Sequence, residues 1–159
     1  MQPQIYGIGN PLIDILISAT DTDLKKLELA KGVMHLVDEV RQSEIIQYFN
    51  NSNHKYMPGG SAPNTILACA GLGISSLISG KIGDDKFGNI YEEQAKQYGA
   101  INGLVKGSGV TGSSIILVTP DGERTMNTHL GMCCEFSPED INESKLAKSN
   151  FLYFTGYMW

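Results

Sequence analysis

The sequence predicts an α/β fold with a mainly parallel sheet and helices packed against it. Short apolar runs of strand length, such as 5–8 and 76–82, end at glycines. Segments with helix start signals follow, so strand, turn and helix succeed one another along the chain. Alternation of this kind is typical of sheets whose strands are joined by helical crossovers.

Each predicted element has its own local signal. Apolar runs and alternating patterns predict strands at 5–8, 12–17, 33–37, 76–82, 101–105, 115–118, 123–128 and 151–155. Capping residues predict helices at 20–29 (Thr20 or Asp21), after Asp38 or Ser43, at 61–72 (Ser61), at 86–98 (Asp85) and after Ser137. Pro120-Asp121-Gly122 supplies the turn of a hairpin between 115–118 and 123–128.

Charge and apolar content bound the class of protein. The 159 residues are 42% hydrophobic and 18% charged, which is ordinary for a globular domain with its own core. The 17 acidic and 12 basic side chains give a net charge of -5, and the basic ones are scattered, so no nucleic-acid partner is expected. The N-terminus lacks a basic and apolar leader, and no apolar run approaches about 18 residues. We therefore expect no membrane partner and a cytoplasmic location.

The three cysteines, Cys69, Cys133 and Cys134, form neither a CxxC pair nor a paired set. This usage is typical of a reducing compartment. Cys69 is expected to pack within the helix 61–72, and the adjacent pair lacks spaced His or Asp ligands for zinc. We assign the cysteines no chemistry and expect no protein-bound metal.

The prediction of function depends mainly on the glycine-dense stretch 56–88. Gly59 and Gly60 precede the helix 61–72, so the backbone can approach a bound group closely where the first-turn N–H groups are unpaired. A glycine pair followed by Asn64 exceeds what helix capping requires. These residues predict contact with a small-molecule ligand.

Asp14 interrupts the apolar run 12–17. Pattern alone leaves two interpretations, an outward-facing strand residue in solvent or a carboxylate kept for a polar ligand. The first is the commoner arrangement.

Two motifs, GGSAPNT at 59–65 and GKIGDDKFG at 80–88, together resemble the first signature region of the ribokinase, or PfkB, family of carbohydrate and nucleoside kinases. GIGNPLIDI at 7–15 and TGSSIILVTPDGERTMNTHLG at 111–131 are most similar to the adenosine-kinase-like branch. The resemblance implies a ribokinase-like three-layer α/β/α Rossmann-type sandwich with a small β-sheet lid. It also implies transfer of the γ-phosphoryl group of ATP, carrying Mg²⁺, to a primary hydroxyl of a ribonucleoside or sugar.

The resemblance implies roles for individual residues. In related kinases the Asp at the position of Asp14 accepts hydrogen bonds from sugar hydroxyls, a task that suits a group with two acceptor oxygens and no donor. This favours the ligand-binding interpretation of Asp14. Asn10, Gly59, Gly60 and Asn64 complete the implied substrate-binding set.

The resemblance further implies that short strands near 33–37, 55–57 and 113–128 leave the main domain to form the lid. Arg124 matches the post-turn Arg of the family and is expected near the transferred phosphoryl group, where its fixed donors bridge anionic oxygens. Exposed lid strands either pair with a second lid in a homodimer or stay mobile as a hinged cover. We favour the homodimer.

Nothing from Met1 to Trp159 matches the Gly-Ala-Gly-Asp type motif that carries the catalytic base and anion hole in the second half of such kinases. We therefore expect this chain to be the N-terminal part of one ribokinase-like domain, with the base and the ATP site beyond Trp159. No catalytic residue is assigned within the segment. Two alternatives stay open, a non-catalytic ligand-binding or regulatory fragment and a subunit-interaction module.

Overall fold

The computed structural model describes residues 2–158. Over that range the strands are β1 (Ile5–Ile8), β2 (Leu12–Ser18), β3 (Met34–Leu36), β4 (Lys55–Gly59), β5 (Ser76–Gly83), β6 (Ile101–Gly107), β7 (Thr111–Val118), β8 (Arg124–Gly131) and β9 (Phe151–Phe154). The α-helices are α1 (Asp21–Lys26), α2 (Glu39–Tyr48), α3 (Ser61–Gly71), α4 (Lys86–Gln97) and α5 (Glu143–Ala147). Strands and helices alternate as the sequence predicts, and the α/β fold class is confirmed.

A parallel sheet of order β6-β5-β1-β9 forms the centre of the first part of the fold. Strand β1 pairs in parallel with β5, from Ile5 opposite Ser76, and with β9, from Ile5 opposite Phe151. Strand β5 pairs in parallel with β6, with α4 as the crossover between them. Parallel neighbours require such crossovers, which is why the helical segments fall between these strands in sequence.

Both faces of this sheet carry buried side chains. Every residue of β5 except Lys81 is buried, as expected for a central parallel strand. Helix α3 buries Ile66 and Leu67, together with the small residues Ala62 and Ala70. A β-carbon on Gly7 would clash with the side chain of Ile66, so the helix and β1 are in close contact. The small residues of α3 permit this close packing.

A second, five-stranded sheet has the order β3-β8-β7-β2-β4. Its hairpin β7–β8 turns at the predicted residues, where the amide of Gly122 donates to the carbonyl of Thr119 at 2.8 Å. Helix α2 begins after the cap Asp38 and buries Ile45. The buried Gln42 donates from Nε2 to the carbonyl of Ser113 at 3.1 Å, so α2 is joined to the sheet by a hydrogen bond as well as by apolar contact.

The chain divides into two compact units. The first comprises the residues up to Ile13, Pro58–Gly112 and the residues from Leu130 onward. The second comprises Asp14–Met57 and Ser113–His129. The segments predicted to form a lid fall in the second unit, and their role as a lid stays a prediction.

Two helix predictions differ from the structure. Helix α1 ends at Lys26 instead of continuing to 29, because Glu28 adopts a positive φ of 54° and the amide of Leu29 reaches back to the carbonyl of Leu24 at 2.9 Å. The helix predicted after Ser137 is only a 3₁₀ turn, Pro138–Asp140. The carboxylate of Asp140 turns back to accept from the amide of Ser137 and from Lys81 Nζ, both at 3.0 Å.

Strand β9 lies at one end of the parallel sheet and keeps large apolar side chains at the surface. Phe151 is 68% exposed, Leu152 48% and Phe154 47%. Tyr153 is partly buried, and its hydroxyl accepts a hydrogen bond from Thr65 Oγ1 at 3.3 Å. Strand β9 thus leaves Phe151, Leu152 and Phe154 largely exposed, whereas Tyr153 is partly covered.

None of the helices within residues 2–158 has the length and apolar character needed to cross a bilayer. The cysteines are free thiols: Cys133 is buried, Cys69 is partly buried and Cys134 is exposed. Burial raises the pKa of the Cys133 thiol to about 12, so this group stays protonated.

Candidate functional site

The turn into helix α3 is fixed by contact between two backbone segments. Gly60 is the N-cap of α3, with φ 96° and ψ 137°. A β-carbon at Gly60 would clash with the backbone oxygen of Asn10, so both its conformation and its surroundings require glycine. The prediction that Ser61 caps the helix is wrong. Ser61 is the first helical residue, because the positive φ at Gly60 places the start of the helix one residue earlier.

The helix N-terminus has no side-chain cap. The carbonyl of Gly60 accepts the first helical hydrogen bond from the amide of Asn64 at 2.9 Å, while no side chain caps the first-turn amides. The first N–H groups of a helix lack intrahelical acceptors and favour anionic or hydroxyl partners. Asn64 itself is exposed and Asn10 partly so. The first unit thus brings together Asn10, Gly59, Gly60 and Asn64, four of the five predicted substrate residues.

The segment 9–11, which follows strand β1, lies against Gly80 and Gly60. The amide of Gly9 donates to the carbonyl of Ser79 at 3.1 Å, which continues the pairing of β1 with β5. A β-carbon at Gly80 would clash with Gly9 and Pro11, as one at Gly60 would with Asn10. The break at Asn10-Pro11 therefore lies at the carboxyl ends of parallel strands, where α/β sheets bind ligands.

Helix α4 holds two neighbouring segments in place. Asp85 caps α4 as predicted, accepting from the amide of Gly88 at 2.7 Å. It also accepts from the amide and the hydroxyl of Thr111, at 2.8 and 2.6 Å. Although burial alone would raise it, these hydrogen bonds hold the pKa of Asp85 below its usual range. The carboxylate therefore stays charged and joins α4 to the start of β7.

Tyr91 of α4 was not predicted to have any role. Its buried hydroxyl donates to the carbonyl of Gly59 at 3.2 Å. The sequence pattern shows only an apolar helix face at Gly88, Tyr91 and Ala95, and the acceptor lies 32 positions away. No local sequence signal reports such a bond.

Asp14 and Arg124 belong to the second unit. Asp14 is partly buried in β2, and burial raises its pKa to about 6 although the positive charge of Arg124 opposes that rise. Arg124, the first residue of β8, is exposed. The electrostatic coupling of these two residues was not foreseen. Perturbed carboxylates of this kind are concentrated at functional sites.

Within residues 2–158 no three His, Cys, Asp or Glu side chains are grouped in a way that would hold a metal ion.

The fold defines the class of protein as a ribokinase-like α/β protein. The adenosine kinase of Sinorhizobium meliloti, whose structure is solved, is 34% identical with a TM-score of 0.86, over 100% of this chain and 49% of that chain. A probable sugar kinase of Rhizobium etli CFN 42 is 32% identical with a TM-score of 0.87, over 100% of this chain and 48% of that chain.

Sequence comparison gives the family. A family model described as pfkB family carbohydrate kinase matches residues 34–159. The chain belongs to this family. Adenosine kinase 2 of Arabidopsis thaliana is 25% identical over 162 aligned residues, which cover 96% of this chain and 46% of that protein. The chain therefore spans about half the length of the relatives it matches.

Replacing Gly60 by Ala should destabilise the protein far more than replacing Gly73 by Ala. Both glycines have positive φ, 96° and 86°, which residues with side chains rarely adopt, so both substitutions carry a backbone penalty of about 1–3 kcal/mol. Only the β-carbon at Gly60 meets other atoms, since nothing lies within 4 Å of one at Gly73. Thermal unfolding of the two variants measures the difference. Equal losses of stability would contradict the close contact with Asn10.

Replacing Asp14 by Asn should raise the unfolding midpoint at pH 7. The pKa of Asp14 is raised from 3.8 to about 6 in the folded protein, so folding disfavours the charged carboxylate. This cost is absent below pH 4, where the group is protonated in both states. It develops between pH 4 and 6 and is complete above pH 6. The stabilisation by Asn should accordingly disappear as the pH falls towards 4.

Asp121→Asn is the matched control in the same unit. Hydrogen bonds from Lys31 and Thr119 hold the pKa of Asp121 below its usual range, so removing its charge should lower the midpoint at pH 7. A midpoint of Asp14→Asn that is unchanged or lower at pH 7 would show that Asp14 is not held at a cost.

Proposed function

We propose that this chain is the substrate-binding part of an ATP-dependent kinase that phosphorylates a primary hydroxyl of a ribonucleoside, of adenosine type, or of a sugar. The observation that carries the proposal is the close contact of Asn10 with Gly60 at the exposed start of α3, within a member of the pfkB family. Relatives described as adenosine kinases and as a sugar kinase support both substrate classes.

The residues suit a polyhydroxylated substrate. A carboxylate at Asp14 accepts hydrogen bonds from two hydroxyls, and the amide of Asn64 both donates and accepts. The unpaired N–H groups at the start of α3 add donors without a competing side chain. Asp14 thus offers acceptors and the start of α3 offers donors, the two kinds of group that a substrate with several hydroxyls requires.

Arg124 is proposed to act at the phosphoryl group. Its exposed guanidinium can reach an anionic group once substrate is bound, and its charge also makes ionised Asp14 less unfavourable.

ATP supplies the phosphoryl group and brings Mg²⁺ with it. We assign neither of them to residues of this chain, and we place the general base outside it. We propose a cytoplasmic enzyme without a nucleic-acid partner, consistent with the net charge of -5.

Replacing Asp14 by Ala in the complete protein should weaken substrate binding by about 1.5–3 kcal/mol, the scale of a hydrogen bond to a charged group. This corresponds to roughly a 10- to 100-fold rise in the dissociation constant. Calorimetry with adenosine and with D-ribose measures the effect and also distinguishes the two substrate classes. Asp121→Ala, which removes a surface carboxylate of the same unit, should leave the dissociation constant unchanged. An unchanged dissociation constant for Asp14→Ala would show that Asp14 does not bind the substrate.

The second unit is proposed to serve as a lid that pairs with a second lid in a homodimer. Its edge strand β3 exposes Met34 (42%) and Leu36 (67%), side chains that a partner strand would cover.

Leu36→Lys should convert the dimer to monomer in sedimentation at micromolar concentration. Leu72→Lys, at an 81% exposed position of the first unit, is the matched control and should not. A wild-type protein that sediments only as monomer would exclude the dimer.

A polypeptide of these 159 residues alone should show no phosphotransfer. The general base and the anion hole each contribute a factor of roughly 10² or more in rate, and by this proposal neither lies within these residues. ATP-dependent phosphorylation of adenosine and of several free sugars is assayed with this polypeptide and with the complete protein. Ligand binding without turnover by both would favour a regulatory or ligand-binding role. Turnover by the 159 residues would place the base within them.

A further inference from the structure

One buried hydroxyl of the first unit has no explanation in packing. Helix α4 turns Gly88, Tyr91 and Ala95 towards the interior, and Tyr91 is 0% exposed. An apolar side chain would satisfy that face equally well. A tyrosine hydroxyl brought into the interior must find a partner, or it loses its hydrogen bonds to water.

The hydroxyl of Tyr91 reaches the backbone just before α3. It donates to the carbonyl oxygen of Gly59 at 3.2 Å. Gly59 is buried, and the next residue, Gly60, has the positive φ that starts α3. The acceptor is therefore part of the peptide that joins the two glycines of the proposed substrate site.

A peptide unit is planar, and its C=O and N–H point in opposite directions. A bond that fixes the Gly59 oxygen consequently fixes the direction of the Gly60 N–H. Glycine pairs rotate more freely than other dipeptides, so this peptide has few restraints of its own. The contact with Asn10 restrains Gly60, and the hydrogen bond from Tyr91 restrains the peptide that precedes it.

We propose that Tyr91 is a positioning residue, whose hydroxyl holds the Gly59–Gly60 peptide in the orientation that presents the Gly60 N–H to substrate. This proposal rests on the proposed function of the glycine turn. Tyr91 does not touch the substrate. It acts through the peptide, and it lowers the cost of ordering that peptide when substrate binds.

The test is Tyr91→Phe in the complete protein, which removes one oxygen and keeps the ring. KM for adenosine or D-ribose, whichever the wild type phosphorylates, should rise about 3- to 10-fold, with kcat within twofold, since one neutral hydrogen bond is lost. Tyr6→Phe is the matched control. Tyr6 is also 0% exposed, and its hydroxyl donates to Ser79 Oγ at 3.2 Å and accepts from the amide of Asn142 at 3.1 Å. Its substitution should lower the unfolding midpoint and leave KM unchanged.

A second readout does not depend on activity. In NMR spectra, Tyr91→Phe should shift the carbonyl carbon of Gly59 and the amide of Gly60, whereas Tyr6→Phe should shift neither. Adenosine or D-ribose added to the wild type should shift the Gly60 amide. This last measurement needs no variant, so it applies even where Tyr91→Phe folds poorly.

The outcomes separate this proposal from the proposed function. A Tyr91→Phe variant with unchanged KM, or with unshifted Gly59 and Gly60 resonances, overturns the positioning role while the kinase function stands. A complete wild-type protein that phosphorylates none of the acceptors overturns the proposed function. In that case unshifted Gly59 and Gly60 resonances in Tyr91→Phe still overturn the control of the peptide by Tyr91, and shifted ones support it.

Discussion

The contact between Gly60 and the backbone of Asn10 is the constraint on which the first unit depends. It joins the end of β1 to the start of α3 without any intervening side chain. Gly80 of β5 and Gly60 before α3 both lie against the segment 9–11, and a β-carbon at either glycine would push that segment away. Peptide groups therefore form the surface here. Backbone groups are more rigid than side chains, so a site built from them is ordered before any ligand arrives.

Helix α4 supports that contact from a distance. Its cap, Asp85, binds Thr111 at the start of β7, and its second turn brings Tyr91 to Gly59. A partly buried carboxylate with several donors is costly to disturb, because removing one donor leaves part of its charge without compensation. The helix therefore does more than cover the sheet: it fixes two segments that are far apart in sequence.

The charged carboxylate of Asp14 lowers the stability of the second unit. The carboxylate is partly buried, and its pKa of about 6 means that the charged form is less stable there than it is in water. Folding alone does not select such a residue, and sites that trade stability for binding commonly contain one. The nearby charge of Arg124 offsets part of the cost. The proposed roles of the two residues are linked through this interaction.

The sequence by itself determined the order and type of most elements, with the segment after Ser137 as the exception. Periodicity and turn residues are local properties, so β1, β5, the hairpin β7–β8 and the Asp85 cap were predicted close to their observed bounds. The motif residues Gly59, Gly60 and Asn64 could be singled out for the same reason, since they are adjacent in the chain.

Only the tertiary structure decided what each of these residues touches. The true cap of α3 depends on the backbone conformation of Gly60, which the contact with Asn10 imposes from 50 positions away. The end of α1 depends on a single positive φ at Glu28, a residue type that rarely adopts one. The sequence pattern shows Tyr91 only as a core residue of an amphipathic helix, because its hydrogen bond to Gly59 forms only in the folded first unit. The raised pKa of Asp14 likewise arises from burial, which no local pattern records.

Local sequence fixes hydrogen bonds between near neighbours, whereas contacts between distant segments follow from the packing of the whole core.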